Sequence, residues 1–264
     1  MEQVIWAEPR DIRSISDCYF YHTMDIPNYG LVHGEWDLRG RESAYLGNIE
    51  FKGKRVLEMG TASGHLCFTM EKMGADVVAY DLSDEQEWDI VPYAGYNYEK
   101  YISERKRHIN RINNGFWLAH RAYRSDAKAL YGTVYEIPES IGQFDICTFG
   151  SILLHLRDPF LALRRVTSHI KETAIVTDVV PKAIGKILSA VESITGSRLI
   201  RFLPNARKLK PYETWWHLSP RLVSEFLQIL GFAHIKISFH RQLFRNKETR
   251  LYTVVGQRKK TISK

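Results

Sequence analysis

Residues 55–81 read Arg-Val-Leu-Glu-Met-Gly-Thr-Ala-Ser-Gly-His-Leu-Cys-Phe-Thr-Met-Glu-Lys-Met-Gly-Ala-Asp-Val-Val-Ala-Tyr-Asp. The apolar pair Val56 and Leu57 is typical of a buried parallel strand, and the glycine-rich residues 60–64 allow a tight turn close to a ligand. Apolar residues at helical spacing follow, and then a second apolar run that ends at Asp81. This order predicts a strand, a turn, a helix and a second strand beside the first.

The position of Asp81 indicates a nucleoside site. In an open parallel sheet the ligand lies beyond the carboxyl ends of the strands, and an acid about 20 positions after the glycine turn can accept both ribose hydroxyls. A dinucleotide fingerprint is excluded, because Ala62 and His65 stand where its second and third glycines belong. The chain also lacks a phosphate loop of the G-x-x-x-x-G-K-[ST] type.

Glu58 extends this turn into a longer motif. The pattern E-x-G-x-x-x-G from Glu58 to Gly64, followed by a distal acid, resembles the first two motifs of the class I S-adenosylmethionine-dependent methyltransferases. The resemblance implies that the loop contacts the methionine part of the cofactor and that Asp81 contacts its ribose. Ala62 stands where this family usually has its middle glycine.

Length and composition predict a single globular domain of 264 residues. Hydrophobic residues make up 44% of the chain and charged residues 25%, as in ordinary α/β domains. The resemblance implies a Rossmann-like, seven-stranded, mostly parallel sheet of order 3-2-1-4-5-7-6, with helices on both faces and the last strand antiparallel. The predicted parts are a lead-in (1–54), a core (55–257), insertions in that core (82–124 and 182–219) and a basic tail (258–264).

The cysteines show no metal-ligand spacing. Cys18, Cys67 and Cys147 are scattered without a C-x-x-C pair, which predicts neither a disulfide framework nor a zinc site. We expect packed thiols in a reducing compartment and no bound metal. The N-terminal residues lack the apolar region of a signal peptide, and no apolar run approaches the length of a membrane span. A cytoplasmic protein without a membrane partner is expected.

The formal net charge of +7 would suit a polyanionic partner. Much of the excess lies in three runs, Glu104–Arg111, Arg198–Lys210 and Arg258–Lys264. Such runs are usually solvated helix faces and termini, but an RNA footprint would have the same composition. Nothing in the sequence indicates the oligomeric state.

The lead-in is rich in aromatic residues. Its segments Tyr21-His22-Thr23-Met24-Asp25-Ile26-Pro27 and Glu35-Trp36-Asp37 resemble the lead-in of relatives of the tRNA wobble-uridine carboxymethyltransferase. We predict that the lead-in closes over the substrate pocket and that Tyr21, His22 and Trp36 contact the acceptor. The alternative is that these side chains only pack over an edge of the sheet.

Residues 132–138 are similar to the family's G-D-x-x-x-L-P stretch, in which an acid accepts a hydrogen bond from the adenine amino group. Thr133 has the position of that acid, and its hydroxyl is a weaker acceptor than a carboxylate. Val134 is expected to donate its backbone N–H to the adenine ring.

Donor and acceptor are expected to meet at the loop after a fourth strand, Phe144–Gly150. The loop lacks the N-P-P-Y-like run of many enzymes that methylate amines, and its His-Leu-Arg-Asp-Pro run resembles small-molecule methyltransferases and relatives of the wobble-uridine enzyme. Asp158 is predicted to cap a helix that begins at Pro159. His155 is the candidate base, because a histidine of near-neutral pKa suits a hydroxyl or phenol acceptor. The alternative role for His155 is to fix the loop by hydrogen bonding.

A further aromatic cluster precedes the last predicted helix, which Ser219 and Pro220 open. Trp215, Trp216 and His217 are predicted to wall the acceptor pocket, although tryptophans also serve as core.

Together these motifs predict one site at the carboxyl ends of the strands. The predicted reaction is transfer of a methyl group to an oxygen or nitrogen of a small-molecule metabolite, such as a natural product. An RNA-modifying methyl- or carboxymethyltransferase and a noncatalytic nucleoside-binding protein remain as alternatives. The residues expected to bind S-adenosylmethionine are Glu58, Gly60, Thr61, Ala62, Gly64, Asp81, Leu82, Thr133, Val134, Gly150 and Ser151.

Overall fold

The computed structural model describes residues 4–180, 191–192 and 194–259. Residues 182–190 and 193 of the predicted second insertion, and residues 260–264 of the predicted tail, lie outside the described residues. Within the described ranges, no helix combines the length and the apolar character that crossing a membrane requires.

Helices and strands follow the order predicted for the core. The helices with described bounds are α1 (Glu42–Tyr45), α2 (His65–Lys72), α3 (Glu99–Tyr123), α4 (Pro159–Thr167) and α5 (Pro220–Ile229). The strands are β1 (Met24–Ile26), β2 (Gly30–Val32), β3 (Trp36–Asp37), β4 (Arg55–Met59), β5 (Asp76–Asp81), β6 (Lys128–Tyr131), β7 (Phe144–Gly150), β8 (Ile170–Val179), β9 (Ile200–Phe202), β10 (Trp216–Leu218), β11 (Phe232–Phe244) and β12 (Lys247–Arg258). Short 3-10 turns lie at Ile15–Asp17, Glu139–Ile141 and Leu153–His155.

The main sheet has the order β3-β11-β12-β8-β7-β4-β5-β6. Neighbours from β8 to β6 are parallel, and β12 runs antiparallel to both β8 and β11. The predicted order 3-2-1-4-5-7-6 and the antiparallel last strand are confirmed. The sheet has one strand more than predicted, because β3 of the lead-in pairs with the outer edge of β11.

The extra strand covers unpaired backbone groups on β11. Leu243 and Phe244 pair with Asp37 and Trp36, and the Trp36 and Phe244 rings lie 4.7 Å apart between centroids. A free edge of this kind offers N–H and C=O groups to other chains, so pairing it internally is favourable. The lead-in is therefore part of the sheet as well as a cover.

Two apolar cores lie on opposite faces of the sheet. One joins the sheet to α2, α3 and the lead-in, with Phe68 and Phe116 among its buried residues. The other joins it to α4 and α5, with Leu163 and Leu227 among its buried residues. Each such side chain contributes about 1.5–3 kcal/mol by leaving water. Cys18, Cys67 and Cys147 are free and buried.

The predicted helix caps form. The Asp158 side chain accepts a hydrogen bond from the Leu161 N–H at 2.9 Å, and the Ser219 side chain accepts one from the Leu222 N–H at 3.1 Å. Both helices then begin with proline, which lacks the N–H that would otherwise be unpaired there. The caps fix α4 directly after the loop of the candidate base.

Candidate active site

The turn between β4 and α2 is closed by backbone contacts. Gly60 donates its N–H to the Tyr80 carbonyl at 2.8 Å, which extends the pairing of β4 with β5. A Cβ on Gly60 would lie 2.5 Å from Cγ2 of Ile152, so glycine lets the loop after β7 approach the turn. Ala62 has a φ of 50°, a left-handed conformation that costs a non-glycine residue about 1–2 kcal/mol. Alanine therefore occupies the family's middle-glycine position at the expense of some strain.

Asp81 lies at the carboxyl end of β5 and faces this turn. Its Oδ2 accepts a hydrogen bond from the Ala62 N–H at 2.6 Å, and its Oδ1 accepts one from the Leu82 N–H at 2.7 Å. Each carboxylate oxygen can accept two hydrogen bonds, so each keeps acceptor capacity for a ligand. Two adjacent acceptors match the two neighbouring hydroxyls of a ribose. Burial raises the pKa of Asp81, and the two backbone N–H groups partly offset that shift.

Glu58 lies beneath the turn, with 3% of its surface exposed. Thr61 Oγ1 donates a hydrogen bond to Glu58 Oε2 at 2.6 Å, and the Gly64 N–H donates to the Thr61 carbonyl at 2.9 Å. Burial raises the pKa of Glu58 to about 8, so the carboxyl is mostly protonated at neutral pH. A cationic group bound at the turn would favour its ionised form.

The turn after β6 flanks the same edge of the sheet. The Gly132 N–H donates to the Asp81 carbonyl at 2.9 Å, and the Tyr80 hydroxyl donates to the Thr133 carbonyl at 3.1 Å. A Cβ on Gly132 would lie 2.2 Å from the Tyr80 hydroxyl oxygen, so glycine makes room for that tyrosine. Val134, which follows Thr133 in the chain, is buried. The two predicted adenine residues thus follow the strand that neighbours Asp81.

Gly150 and Ser151 lie at the end of β7, the other neighbour of β4. Ser151 donates its N–H to the Thr177 carbonyl at 2.7 Å and has a φ of 54°. Its Oγ lies 3.4 Å from the hydroxyl oxygen of Tyr45 in α1. The lead-in therefore reaches the carboxyl end of the sheet at this residue.

His155 is half-buried in the 3-10 turn that follows. Its Nδ1 lies 2.6 Å from the main-chain oxygen of Glu213. A carbonyl oxygen only accepts hydrogen bonds, so Nδ1 carries the proton and Nε2 of the neutral ring keeps its lone pair. Burial lowers the pKa of His155, and the hydrogen bond to Glu213 opposes that shift. The ring is therefore uncharged at neutral pH and can accept a proton at Nε2.

Asp89, which the sequence analysis did not single out, fixes the His-Leu-Arg-Asp-Pro run. Its Oδ2 accepts hydrogen bonds from the Arg157 N–H at 2.6 Å and from the Tyr135 hydroxyl. That hydroxyl also accepts from the Asp158 N–H at 3.1 Å. The Asp89 carbonyl accepts from Nε1 of Trp215 at 3.1 Å. The segments of Asp89 and Tyr135 are therefore hydrogen-bonded to the backbone of residues 157–158, and Trp215 is bonded to the same segment as Asp89.

The lead-in covers the glycine turn. The N–H groups of Tyr21 and His22 lie 3.2 and 3.4 Å from Oγ of Ser63. Trp36 contacts the lead-in rather than the turn, because its N–H donates to the Tyr21 carbonyl at 3.0 Å. Of the three predicted lead-in residues, Tyr21 and His22 touch the turn, whereas Trp36 packs at the sheet edge.

The predicted aromatic wall lies beside the loop of His155. The Trp215 N–H donates to the Leu154 carbonyl at 2.8 Å, and Nε1 of Trp216 donates to the Arg157 carbonyl at 3.2 Å. His217 is half-buried in β10 and pairs across the strands with Arg201 of β9. The two tryptophans thus brace the loop, while His217 belongs to the small β9–β10 sheet.

No cluster of three or more His, Cys, Asp or Glu side chains could hold a metal ion in the part of the chain that the structure describes. The titratable side chains described above at the carboxyl ends of the strands include Glu58, Asp81, Asp89 and His155.

This fold and this site define a class of protein, the class I methyltransferases. Residues 37–235, about three quarters of the chain, match the family described as a methyltransferase domain. The chain belongs to this family. The predicted class, a methyltransferase that uses S-adenosylmethionine, is confirmed. No curated protein sequence matches the chain.

The chain is similar to several solved structures at low sequence identity. The N-terminal domain of EvdMO1, crystallised in the presence of S-adenosylhomocysteine and D-fucose, is 14% identical over 90% of each chain, with a TM-score of 0.50. Magnesium protoporphyrin IX methyltransferase from Synechocystis is 16% identical over 81% of this chain and 80% of that chain, with a TM-score of 0.46. The 1,6-didemethyltoxoflavin-N1-methyltransferase of Burkholderia thailandensis is 13% identical over 84% and 77%, with a TM-score of 0.47.

The residues of the site fit S-adenosylmethionine. Asp81 offers two adjacent acceptors where a ribose is expected, and Glu58 offers a carboxyl under the turn that a cation would ionise. Asp89, Arg105 and Glu213 were not predicted as site residues, although Arg105 lies in the charged run Glu104–Arg111. Arg105 forms an ion pair with Glu213 at 2.7 Å, and the Glu213 carbonyl contacts His155. None of the three residues belongs to a motif that indicates the site.

Proposed function

We propose that the protein transfers a methyl group from S-adenosylmethionine to an oxygen or nitrogen of a small-molecule metabolite, and that Nε2 of His155 takes the acceptor's proton. S-adenosylmethionine supplies an electrophilic methyl group on a sulfonium. The observation that carries the proposal is the hydrogen bond from His155 Nδ1 to the Glu213 carbonyl, which leaves Nε2 free as a base.

The cofactor residues are assigned by their places around the turn. Asp81 would bind the ribose hydroxyls, and Glu58 with residues 60–64 would bind the methionine part. Thr133 and Val134 would flank the adenine, and Gly150 and Ser151 would face the transferred methyl group. Positioning of the two reactants supplies much of the acceleration in such a displacement.

A small acceptor is favoured by the enclosure of His155. The ring is half-buried, and the loop that carries it is braced by Trp215 and Trp216. Tyr21 and His22 of the lead-in cover the neighbouring turn. We assign these four side chains, with Trp36 and His217 behind them, to the surroundings of the acceptor.

We also propose that residues 1–264 form one methyltransferase domain in the cytoplasm. The participation of β3 in the main sheet supports a single unit, because the lead-in and the core share one hydrogen-bonded surface. The three free, buried thiols support a reducing compartment.

The test is transfer of an isotope-labelled methyl group. Purified protein, labelled S-adenosylmethionine and either a low-molecular-mass cell extract or total tRNA are combined, and the labelled product is identified by mass spectrometry. We expect label in the small-molecule fraction. Label in tRNA alone, or preference for carboxy-S-adenosylmethionine, would contradict the proposal in favour of RNA modification. Absence of cofactor binding by a folded chain would leave a noncatalytic protein.

A further inference from the structure

Glu213 is the point at which three segments of the chain meet above the candidate base. Its carbonyl accepts the hydrogen bond from Nδ1 of His155 at 2.6 Å. Its carboxylate Oε1 lies 2.7 Å from Nε of Arg105, which belongs to the long helix α3. One residue therefore connects the imidazole ring to the inserted helix.

The ion pair between Arg105 and Glu213 is enclosed. The side chains are 35% and 22% exposed, and the contacting atoms Nε and Oε1 are buried. Neither atom has a well-aligned hydrogen bond, so charge and packing hold this contact. Such a pair is strong only while both partners stay in place, because removing one leaves the other charge partly desolvated.

Tyr101 supports the same contact from one helical turn earlier. Residues four apart face the same side of a helix, so Tyr101 and Arg105 both point toward Glu213. Burial, and then the nearby Glu213 carboxylate, raise the pKa of Tyr101. The Tyr101 ring also packs 4.8 Å from that of Tyr212. The helix therefore contacts residues 212–213 by both packing and charge.

We propose that Glu213 is a positioning residue for His155, and that Arg105 on α3 sets its position. Through this contact the inserted helix keeps the imidazole in the Nδ1–H tautomer, with Nε2 directed away from the Glu213 carbonyl. The inference rests on the proposed function only where His155 is called the base. The positioning itself concerns this chain's own residues and can be observed without a substrate.

Other bonds hold this region when the ion pair is removed. The Trp215 N–H bonds to the Leu154 carbonyl at 2.8 Å, and the His155 N–H bonds to the Ile152 carbonyl at 2.9 Å. Glu213→Gln therefore removes the charge while the backbone of the loop stays paired. Arg105→Gln removes the other partner and leaves residue 213 unchanged.

The experiment is nitrogen NMR of the ring of His155 in protein labelled at histidine, with the His155→Gln variant assigning the signals. In the wild type we expect a protonated Nδ1 and an unprotonated Nε2 above pH 7. In Glu213→Gln and Arg105→Gln we expect a mixture of tautomers, because the ion pair that sets the orientation of the Glu213 carbonyl is lost. The control is Glu172→Gln, which removes an ion pair with Lys54 at 2.6 Å near the amino ends of β4 and β8. This variant should keep the wild-type pattern.

Charge provides a second readout that a purely structural role would not produce. Removing the positive charge of Arg105 should raise the pH at which His155 titrates, and removing the negative charge of Glu213 should lower it. The exchanged pair Arg105→Glu with Glu213→Arg should recover the single tautomer. An unchanged tautomer in both single variants would overturn the proposal. The proposal would also be overturned if the pH at which His155 titrates moved in the same direction in both variants.

The outcome is separable from that of the proposed function. If the tautomer responds as expected but His155→Ala transfers methyl groups at the normal rate, the positioning is correct and the role as base is wrong. If His155→Ala is inactive but the tautomer of His155 is unchanged in Glu213→Gln and Arg105→Gln, the base role is supported and the positioning by Glu213 is wrong.

Discussion

The two halves of the site differ in the way the chain assembles them. The cofactor half (residues 58–64 and 81–82) is formed within one strand–turn–helix–strand unit, and Ala62 and Asp81 are 19 positions apart. The acceptor half (residues 152–158 with Arg105 and Glu213) joins separate segments, and His155 and Glu213 are 58 positions apart. The predicted contacts to the methionine part and the ribose thus lie within one local motif, whereas the geometry of the candidate base depends on long-range packing.

Two carboxyls are buried near the carboxyl ends of strands, one of them in the cofactor half and the other outside both halves. Glu58 of β4 accepts a hydrogen bond from Thr61, and Asp178 of β8 accepts one from the Val179 N–H at 2.7 Å. Oδ2 of Asp178 is buried without a partner. Burial raises the pKa of Glu58 to about 8 and that of Asp178 to about 7. Only Glu58 belongs to the predicted cofactor half, so we expect the two carboxyls to respond differently to ligand.

The largest expected effect is on stability, in the variant Asp178→Asn. Because the carboxyl titrates near 7 when folded and near 3.8 when unfolded, its stability contribution is full below pH 4 and is lost as the pH rises to about 7. The loss is up to about 4 kcal/mol at about 1.36 kcal/mol per pKa unit. Urea unfolding of wild type and variant at pH 5 and pH 8 measures it. We expect the free energy of unfolding of the variant, relative to that of the wild type, to be higher at pH 8 than at pH 5. An equal difference between the two proteins at both pH values would contradict the assignment.

The next effect concerns turnover in the acceptor half. His155→Ala should lower the rate of methyl transfer roughly a hundredfold, because the acceptor loses its base, while affinity for S-adenosylhomocysteine stays unchanged. Since burial lowers the pKa of His155 from 6.5, the wild-type rate should fall only below pH 6.5. Steady-state rates across pH measure both. His234→Ala, on the exposed face of β11, is the matched control. A normal rate in His155→Ala would leave this residue a structural role.

A smaller effect is expected for affinity in the cofactor half. Asp81→Ala should weaken binding of S-adenosylhomocysteine by about 1–3 kcal/mol, because the ribose hydroxyls lose a charged acceptor and two backbone N–H groups lose theirs. Isothermal titration measures the change, with the exposed Glu85→Ala as control. Equal affinities for Asp81→Ala and wild type would remove Asp81 from the site.

The smallest effect is proton release on binding. Glu58 is mostly protonated in the free protein, and the positive charge of S-adenosylmethionine should favour its ionised form. Up to about one proton per cofactor should therefore be released near pH 7. Titration in buffers of different ionisation enthalpy detects it, and Glu58→Gln should abolish it. Release that persists in this variant would assign the proton to another group. Asp178→Asn should leave it unchanged.

The sequence predicted the core well where its signals are local. Val56 and Leu57, the capping residues Asp158 and Ser219, and the strand order all agree with the structure. It did not predict that Trp36 would add a strand to the outer edge, because two residues carry no recognisable strand pattern. Pairing with β11 instead follows from the free edge that the finished sheet presents.

The sequence by itself determined the class of the protein. Strand, turn, helix and acid between Glu58 and Asp81 are near neighbours in the chain, so their spacing fixes their geometry. Only the tertiary structure decided the surroundings of His155. Its tautomer depends on the Glu213 carbonyl, which reaches it from another segment and which Arg105 contacts from a third. Contacts of this kind arise because packing unites distant residues, and no pattern within a single segment records them.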